Sequence, residues 1–167
     1  MKRFLVISVV WAVCSVAIGT SNCTAESSKV SLGLRPLGFS VNPDQYTLGL
    51  QFVFGKVTVM RFAPSVDIGF GDSQTVTTFN LDLRTDLFSP PKANAKFYGG
   101  LGPTISLNRP DVGVSDTEIG LSLVAGLKMP FGSRNYYNLE TRFGFGDIPD
   151  FKLLMGVMFG FGDVAKR

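Results

Sequence analysis

Four carboxylates stand where paired acidic side chains could do chemistry: Asp82, Asp86, Glu118 and Glu140. Each lies on the polar face of a segment in which polar and apolar residues alternate, so the four would share one surface of a folded sheet. Two carboxylates held together can act as general acid and base, or can line a path for cations. Six basic residues occupy the same faces. Because buried charges are tolerated when they are paired, a salt-bridged interior is favoured over a catalytic one. The six are Arg61, Arg84, Lys96, Lys128, Arg142 and Lys152.

Histidine is absent from the sequence. Its absence removes nucleophilic and acid–base catalysis that depends on a histidine partner, and it removes histidine-based zinc sites. Asp111 and Asp116 could contribute to a Ca²⁺ site in one loop, but two carboxylates are too few, and a solvated loop is favoured. The sequence therefore predicts a protein that is not an enzyme, with no catalytic, cofactor-binding or metal-binding residues and no cofactor.

The first 25 residues have the organisation of a secretory signal peptide. A short basic start precedes an uncharged, mostly apolar run from Phe4 to Ile18, and Cys23-Thr24-Ala25 fits a small-x-small cleavage site. The apolar run is shorter than the roughly 20 residues of a membrane-spanning helix, which favours a signal peptide over an anchor. Cleavage after Gly19 and attachment of lipid to a cysteine are alternatives. We predict a signal peptide over residues 1–25 and a single domain over residues 26–167.

The mature chain is close to electroneutral. Lysine and arginine number 16, aspartate and glutamate 13, and the net charge of the whole sequence is +3. Cleavage after Ala25 removes Lys2 and Arg3, and both cysteines, Cys14 and Cys23, leave with the same segment. The mature chain would then carry no disulfide and no cysteine-based metal site. No basic run or basic domain suggests nucleic-acid binding.

Eight segments alternate polar and apolar residues with the period of two that is typical of β-strands. In the second segment, for example, Leu48, Leu50 and Phe52 alternate with Gly49 and Gln51. Many segments have about ten residues, the length that a tilted strand needs to cross a bilayer. The pattern predicts an all-β fold, an eight-stranded antiparallel up-and-down transmembrane β-barrel. The segments are residues 29–35, 46–54, 60–70, 79–87, 96–107, 118–129, 136–145 and 151–161.

Turn-forming residues between the segments set expectations for local structure. Gly55-Lys56 has the form of a two-residue hairpin turn. A β-bulge at Val59–Met60 would absorb the switch in apolar phase that follows, because a one-residue slip otherwise turns every side chain over. The longest connections are expected from Pro36 to Gln45 and from Asn108 to Asp116.

Size indicates which face of the barrel points outward. Eight strands enclose an interior just wide enough for side chains to fill. The apolar face carries too many large residues to fit there, including most of the 15 phenylalanines. We therefore predict apolar side chains towards lipid, polar side chains and glycines towards the lumen, and aromatic girdles at both rims. One girdle would contain Tyr46, Phe70, Phe79, Phe143, Phe145 and Phe151, and the other Phe54, Phe88, Phe97, Tyr137, Phe159 and Phe161.

The pairing of neighbouring strands predicts how the lumen charges meet. If Gly69 pairs with Val76 across one turn, Arg61 faces Arg84, and Asp82 lies on the diagonal between the two arginines. The charges would then form a plug, that is, a lumen filled by paired side chains and not an open pore.

The next pair of strands depends on the connection from Ser89 to Asn94. If this connection closes so that Asp86 sits opposite Lys96, Arg84 faces Tyr98. The Tyr98 ring would add bulk to a lumen that is already narrow at eight strands.

These features resemble the small outer-membrane barrel family of OmpA transmembrane domains and OmpX. The resemblance covers Lys29 to Phe161 and rests on the signal peptide, the eight alternating segments and the last strand, KLLMGVMFGF, which ends in Phe161. It implies that the assembly machinery of the outer membrane reads this aromatic-ended strand, although six residues, Gly162 to Arg167, follow it here. The barrel enzymes of the outer membrane rely on histidine, so the resemblance argues against those activities.

Sequence and resemblance together imply a non-enzymatic barrel in the outer membrane of a Gram-negative-type cell, exported with cleavage of its signal peptide. Its lumen would be plugged, and its role structural and envelope-stabilising, or mediated by its loops. The alternative is a narrow porin-like channel for small solutes or ions, and a soluble periplasmic lipid carrier is a further one. Expected partners are outer-membrane lipids, including lipopolysaccharide, and the barrel assembly machinery during biogenesis, with no nucleic acid and a monomeric state.

Overall fold

The fold is a closed barrel of eight antiparallel strands. The computed structural model describes residues 30–57, 59–71, 73–90, 94–131 and 134–161. Consecutive strands are neighbours in the sheet, and the last strand pairs with the first, so no sheet edge stays open. This confirms the predicted all-β, eight-stranded up-and-down architecture. The predicted signal peptide and the residues after Phe161 lie outside the described ranges.

The strands range from 11 to 16 residues in length, and β4, β5 and β6 are the longest. Among the described residues there is no helix long and apolar enough to cross a membrane. The strands are β1 (Val30–Val41), β2 (Gln45–Val57), β3 (Met60–Gly71), β4 (Gln74–Phe88), β5 (Lys96–Pro110), β6 (Asp116–Phe131), β7 (Asn135–Gly146) and β8 (Phe151–Phe161).

Alternation along each strand separates an apolar outer wall from a polar interior. On β2, Leu48, Leu50 and Phe52 are exposed on the outside, whereas Thr47 and Gln51 are buried inside. A soluble barrel would place these residues the other way round. The structure thus confirms the predicted orientation of the two faces.

The first strand is longer than the sequence pattern indicated. The segment from Pro36 to Val41, expected to form a connection, belongs to β1, and the connection to β2 spans only residues 42–44. The pairing of β1 with β8 shifts register between Leu34 and Leu37. Proline has no N–H to donate to a ladder, and such an irregularity is where a sheet tolerates it.

The β-bulge predicted at Val59–Met60 lies instead within β2. The β2–β3 register shifts between Phe54 and Val57, so Gly55 and residue 56 together oppose Arg61. Gly55 adopts a φ of 65°, which glycine reaches without the steric cost that a β-carbon brings. The predicted hairpin turn at Gly55-Lys56 is therefore wrong, because β2 continues to Val57 and β3 begins at Met60.

The two ends of the barrel carry short connections. We call the end where β1 begins and β8 ends the terminal end, and the opposite end the far end. The terminal end has connections over residues 58–59, 89–95 and 132–134. The far end has connections over residues 42–44, 72–73, 111–115 and 147–150. The loop predicted from Asn108 to Asp116 is shorter than expected, because β5 extends to Pro110 and pairs with β4 there.

Candidate functional site: the charged lumen

The middle of the lumen is filled by one group of buried, mostly charged side chains, which we call the central cluster. Its members come from five strands, so they bridge the lumen and do not line one side of it. None is more than 5% exposed. The central cluster consists of Arg35 on β1, Asp67 on β3, Asp82 and Arg84 on β4, Tyr98 on β5, and Glu140 and Arg142 on β7.

Asp82 is held by two arginines from different strands. Arg142 donates to both carboxylate oxygens, Nη1 to Oδ1 at 2.9 Å and Nη2 to Oδ2 at 2.7 Å, and Arg84 Nη2 donates to Oδ2 at 2.7 Å. Such two-pronged pairing is the strongest hydrogen-bonding arrangement of arginine with a carboxylate. Asp82 thus lies between two arginines, as predicted, but the second arginine is Arg142 and not Arg61.

Glu140 collects more donors than any other acid of the central cluster. It accepts from Arg84 at 2.7 and 3.1 Å, from Arg35 at 3.1 Å and from Arg142 at 3.2 Å. The Tyr98 hydroxyl, 2.8 Å from Oε2, also donates to it. With its oxygens occupied by arginines, this carboxylate has no free lone pairs for acid–base work.

Two members of the central cluster were not among the charged residues singled out from the sequence. Arg35 bridges Glu140 and Asp67, with its Nη2 atom 3.2 Å from Asp67 Oδ1. Asp67 also accepts a hydrogen bond from Asn80 at 3.1 Å. Both Arg35 and Asp67 stand on the polar face of their alternating segments, so that signal was present in the sequence.

Of the two predicted strand pairings, the β3–β4 pairing is confirmed and the β4–β5 pairing is wrong. In the β3–β4 ladder Gly69 pairs with Val76 and Arg61 with Arg84, as predicted. In the β4–β5 ladder the prediction is wrong by two residues, because Asp86 faces Tyr98.

The reason lies in the connections. Only two residues separate β3 from β4, and Gly71 pairs with Gln74, which fixes the β3–β4 register. The 89–95 connection leaves the β4–β5 register free, and the ladder also shifts between Asp86 and Phe88.

The remaining predicted charges lie nearer the ends of the lumen. Lys128 Nζ donates to Asp86 Oδ1 at 2.5 Å and lies over the Tyr98 ring at 4.9 Å from its centroid. Lys96 pairs with Lys128 in the β5–β6 ladder. Near the far end, Glu118 accepts a hydrogen bond from Asn108 at 2.7 Å. The carboxylates therefore separate into a central pair, Asp82 and Glu140, and two single ones.

Apolar side chains pack inside the barrel on the terminal side of the central cluster. Val53, Ala63 and Met158 form a buried group against which Tyr136 packs. Gly33 makes room for this layer, since a β-carbon there would overlap the Met158 sulfur.

The β7–β8 connection lies over the lumen at the far end. It folds inward so that Ile148 is buried against Gly120 and Gly144. A backbone hydrogen bond of 2.8 Å from Gly144 N to Asp150 O fixes it there. The lumen thus has an apolar or loop layer on each side of the charged one.

The loop proposed as a weak Ca²⁺ candidate shows a different arrangement. Asp111 and Asp116 are exposed, and Asp116 Oδ1 accepts a hydrogen bond from the backbone of Thr117 at 2.7 Å. Within the described ranges, no group of three or more side chains is placed to hold a metal ion.

Similarity to known proteins lies in structure and not in sequence. No protein-family model matches the chain, and no curated protein matches it in sequence. The N-terminal β-barrel domain of OprF from Pseudomonas aeruginosa superposes with a TM-score of 0.67 at 15% identity, covering 80% of this chain and 98% of that one. Neisserial surface protein A gives a TM-score of 0.61 at 13% identity, covering 80% and 95%. The attachment invasion locus protein Ail of Yersinia pestis, solved with the heparin analogue sucrose octasulfate, gives 0.57 at 12% identity, covering 81% and 100%.

The chain has the fold of the small eight-stranded outer-membrane β-barrels. Because the identities are low, the likeness establishes the fold and leaves the activity to be argued from this chain's own residues. It also agrees with the resemblance to OmpA transmembrane domains and OmpX drawn from the sequence.

In this outer-membrane-barrel fold, aromatic rings cluster on the outer wall near both ends. Phe79, predicted in a girdle, instead borders a shallow apolar groove of about 470 Å³ on the wall, beside Pro64 and Pro103. The ring pairs are Phe39–Tyr46 and Phe143–Phe151 near the far end, and Phe54–Phe62, Phe88–Phe97 and Phe131–Tyr137 near the terminal end.

Proposed function

We propose that this protein is a non-enzymatic outer-membrane β-barrel that stabilises the cell envelope and whose lumen is plugged. One observation carries the proposal: the central cluster joins β1, β3, β4, β5 and β7 across the lumen through paired charges. An open path would need these arginine–carboxylate pairs to part in a nearly dry interior, which is costly once one partner is left alone.

The proposed membrane location is supported by the apolar outer surface of the barrel. The outward face is apolar all around the barrel. Each of the eight strands carries exposed leucine, isoleucine, valine or phenylalanine side chains. Such a surface in water would far exceed the apolar patches that soluble monomers carry. Closure of the sheet meets the other demand of a bilayer, since its core offers no water to unpaired backbone groups.

The proposal includes the expectations that depend on this location. The protein would be exported with removal of residues 1–25, folded by the barrel assembly machinery and surrounded as a monomer by outer-membrane lipids, including lipopolysaccharide. Lipid contact, and not a soluble ligand, would then be the main interaction of the outer wall.

The absence of enzymatic activity is supported by the state of the lumen carboxylates. Asp82 and Glu140, the two that lie close enough to cooperate, are both neutralised by arginines. A general acid or base needs a proton-accepting site near the operating pH and access to a substrate. Neither carboxylate meets both conditions.

A loop-mediated role is the second candidate, favoured by the β5–β6 connection. Val112 and Val114 are 91% and 88% exposed there, more than any other large apolar side chain described. The described part of the far end has one exposed arginine, Arg109, and several exposed aspartates that make it acidic, among them Asp111, Asp116, Asp147 and Asp150. A sulfated ligand like the one bound to Ail would meet repulsion at this rim, so we propose no such ligand here.

Location and closure can be tested on the exported protein. We expect it in the outer-membrane fraction, with a gel band that shifts only after boiling in SDS, because every ladder must break together. Mass spectrometry should give an N-terminus at Glu26 without an acyl chain. Recovery from the soluble periplasmic extract, with identical migration before and after boiling, would contradict the proposal.

A further inference from the structure

Lys152 is a buried lysine outside the central cluster. It is the second residue of β8 and is 4% exposed. Its Nζ atom donates to Thr78 Oγ1 at 2.6 Å. Since Thr78 lies on β4, on the opposite side of the barrel, the lysine side chain crosses the lumen. Within the described residues, Lys152 forms no ion pair with a carboxylate.

Hydrogen-bond donors outnumber acceptors at this point. An ammonium group has three N–H donors, and only one of those of Lys152 is used. The Thr78 oxygen accepts that bond, so the threonine keeps its own O–H proton to donate. Among the described residues, no acceptor receives it. Two N–H groups and one O–H group therefore meet without an acceptor.

The charges of the fully buried side chains in the described lumen do not balance. The four cations Arg35, Arg84, Arg142 and Lys152 face only three carboxylates. Each of the three carboxylates already contacts at least one arginine. One positive charge is left, and the contacts place it on Lys152.

None of the ladder neighbours of Lys152 and Thr78 places a carboxylate in contact with the Lys152 ammonium group. In the ladders, Ser40 of β1 and Arg142 of β7 flank Lys152. Asp67 of β3 and Ser106 of β5 flank Thr78. Asp67 attracts Lys152 through space, but it already contacts Arg35 and Asn80, and the flanking serines are neutral.

We propose that a small monovalent anion such as chloride binds in the lumen beside Lys152 Nζ and Thr78 Oγ1, which are themselves joined by a hydrogen bond. A single negative charge brings the charge of the fully buried side chains to zero, and a halide accepts from the unused donors. A water molecule at the same position has two acceptor positions and no net charge, so it leaves the ammonium group unneutralised. The site does not depend on whether the lumen conducts ions.

The test is the dependence of unfolding on the type of anion. The refolded protein in detergent would be heated in sodium chloride, sodium bromide or sodium gluconate at one ionic strength, and the gel-shift temperature measured. A ligand that binds only the folded state raises this temperature. We expect chloride and bromide to raise it relative to gluconate, which is too large to enter.

Variants locate the effect. Lys152→Gln should abolish the difference between chloride and gluconate, and Thr78→Val should reduce it. Lys96→Gln serves as the control, because this lysine lies near the terminal end and should keep the full difference. An equal response of wild type and Lys152→Gln, or no difference between the anions in wild type, would overturn the proposal.

Diffraction from bromide-soaked crystals of the unaltered protein provides an answer even if the variants fail to fold. An anomalous peak beside Lys152 Nζ is the expected result. Peaks confined to the protein surface would also overturn the proposal.

Discussion

Two aspartates four residues apart on β4 occupy very different settings. Asp82 has a fully buried side chain and receives three hydrogen bonds from Arg84 and Arg142. The side chain of Asp86 is 37% exposed and contacts one lysine, Lys128. Both look alike in the sequence, since each stands on the polar face beside basic residues.

We infer from this difference that burial and the number of donors, and not the presence of a partner alone, decide what an ion pair contributes. The Asp86–Lys128 pair should gain less, because water still solvates the partly exposed Asp86 carboxylate and the long lysine side chain loses freedom. A buried carboxylate without its donors has no such solvation to return to. The central cluster should therefore control stability, and the Asp86–Lys128 pair should not.

The largest effect is expected from Glu140→Ala. This change leaves Arg35, Arg84 and Arg142 with too few acceptors in the buried lumen, and loss of a buried partner costs about 3–5 kcal/mol. The gel-shift temperature should fall well below that of the wild type.

Two matched aspartate substitutions sharpen this prediction. Asp82→Ala should behave nearly as severely as Glu140→Ala, while Asp147→Ala should change little, because the Asp147 side chain is exposed. Similar gel-shift temperatures for Asp82→Ala and Asp147→Ala would contradict the claim that the central cluster controls the stability of the barrel.

A smaller effect is expected from Tyr98→Phe. The ring stays in place, and Glu140 loses the hydroxyl donor at 2.8 Å while it keeps its arginine donors. One hydrogen bond to a charged group contributes about 1.5–3 kcal/mol. The free energy of unfolding in urea should fall by this amount, and a fall as large as that of Glu140→Ala would mean that the phenol has a role beyond this hydrogen bond.

The smallest effect is expected at the terminal end. A double-mutant cycle on Asp86 and Lys128, with alanine at each position, should give a coupling energy of about 0.2–1 kcal/mol. The same cycle on Asp82 and Arg142 should give a clearly larger value. Equal coupling energies in the two cycles would show that burial does not separate the two regions.

Much of the fold could be predicted because two constraints act on every strand. A period of two sets the strands, and the narrow interior of eight strands forces large side chains outward. The local exceptions were harder. Gly55 looks like a turn residue, yet it serves a bulge, and Pro36 looks like a strand terminator, yet a register shift keeps it within β1.

The sequence predicted that the lumen holds paired charges, but it did not predict which residues pair with each other. Pairing within a ladder correctly placed Arg61 opposite Arg84, because the turn between β3 and β4 is tight. The contacts of Asp82 with Arg142, and of Glu140 with Arg35, cross the lumen between strands that are not neighbours. Such contacts depend on the closure and stagger of the whole barrel, which no pair of segments reveals.

The central claim, that the lumen is plugged, is tested most directly by ion conductance across a planar bilayer. Purified protein would be incorporated, with folding in the same sample verified by the heat-dependent gel shift and a general porin as the positive control for insertion. We predict no steady conductance from the unaltered protein, because the paired charges of the central cluster would have to part for an ion to pass. Steady, reproducible conductance steps from folded, unaltered protein would contradict the account.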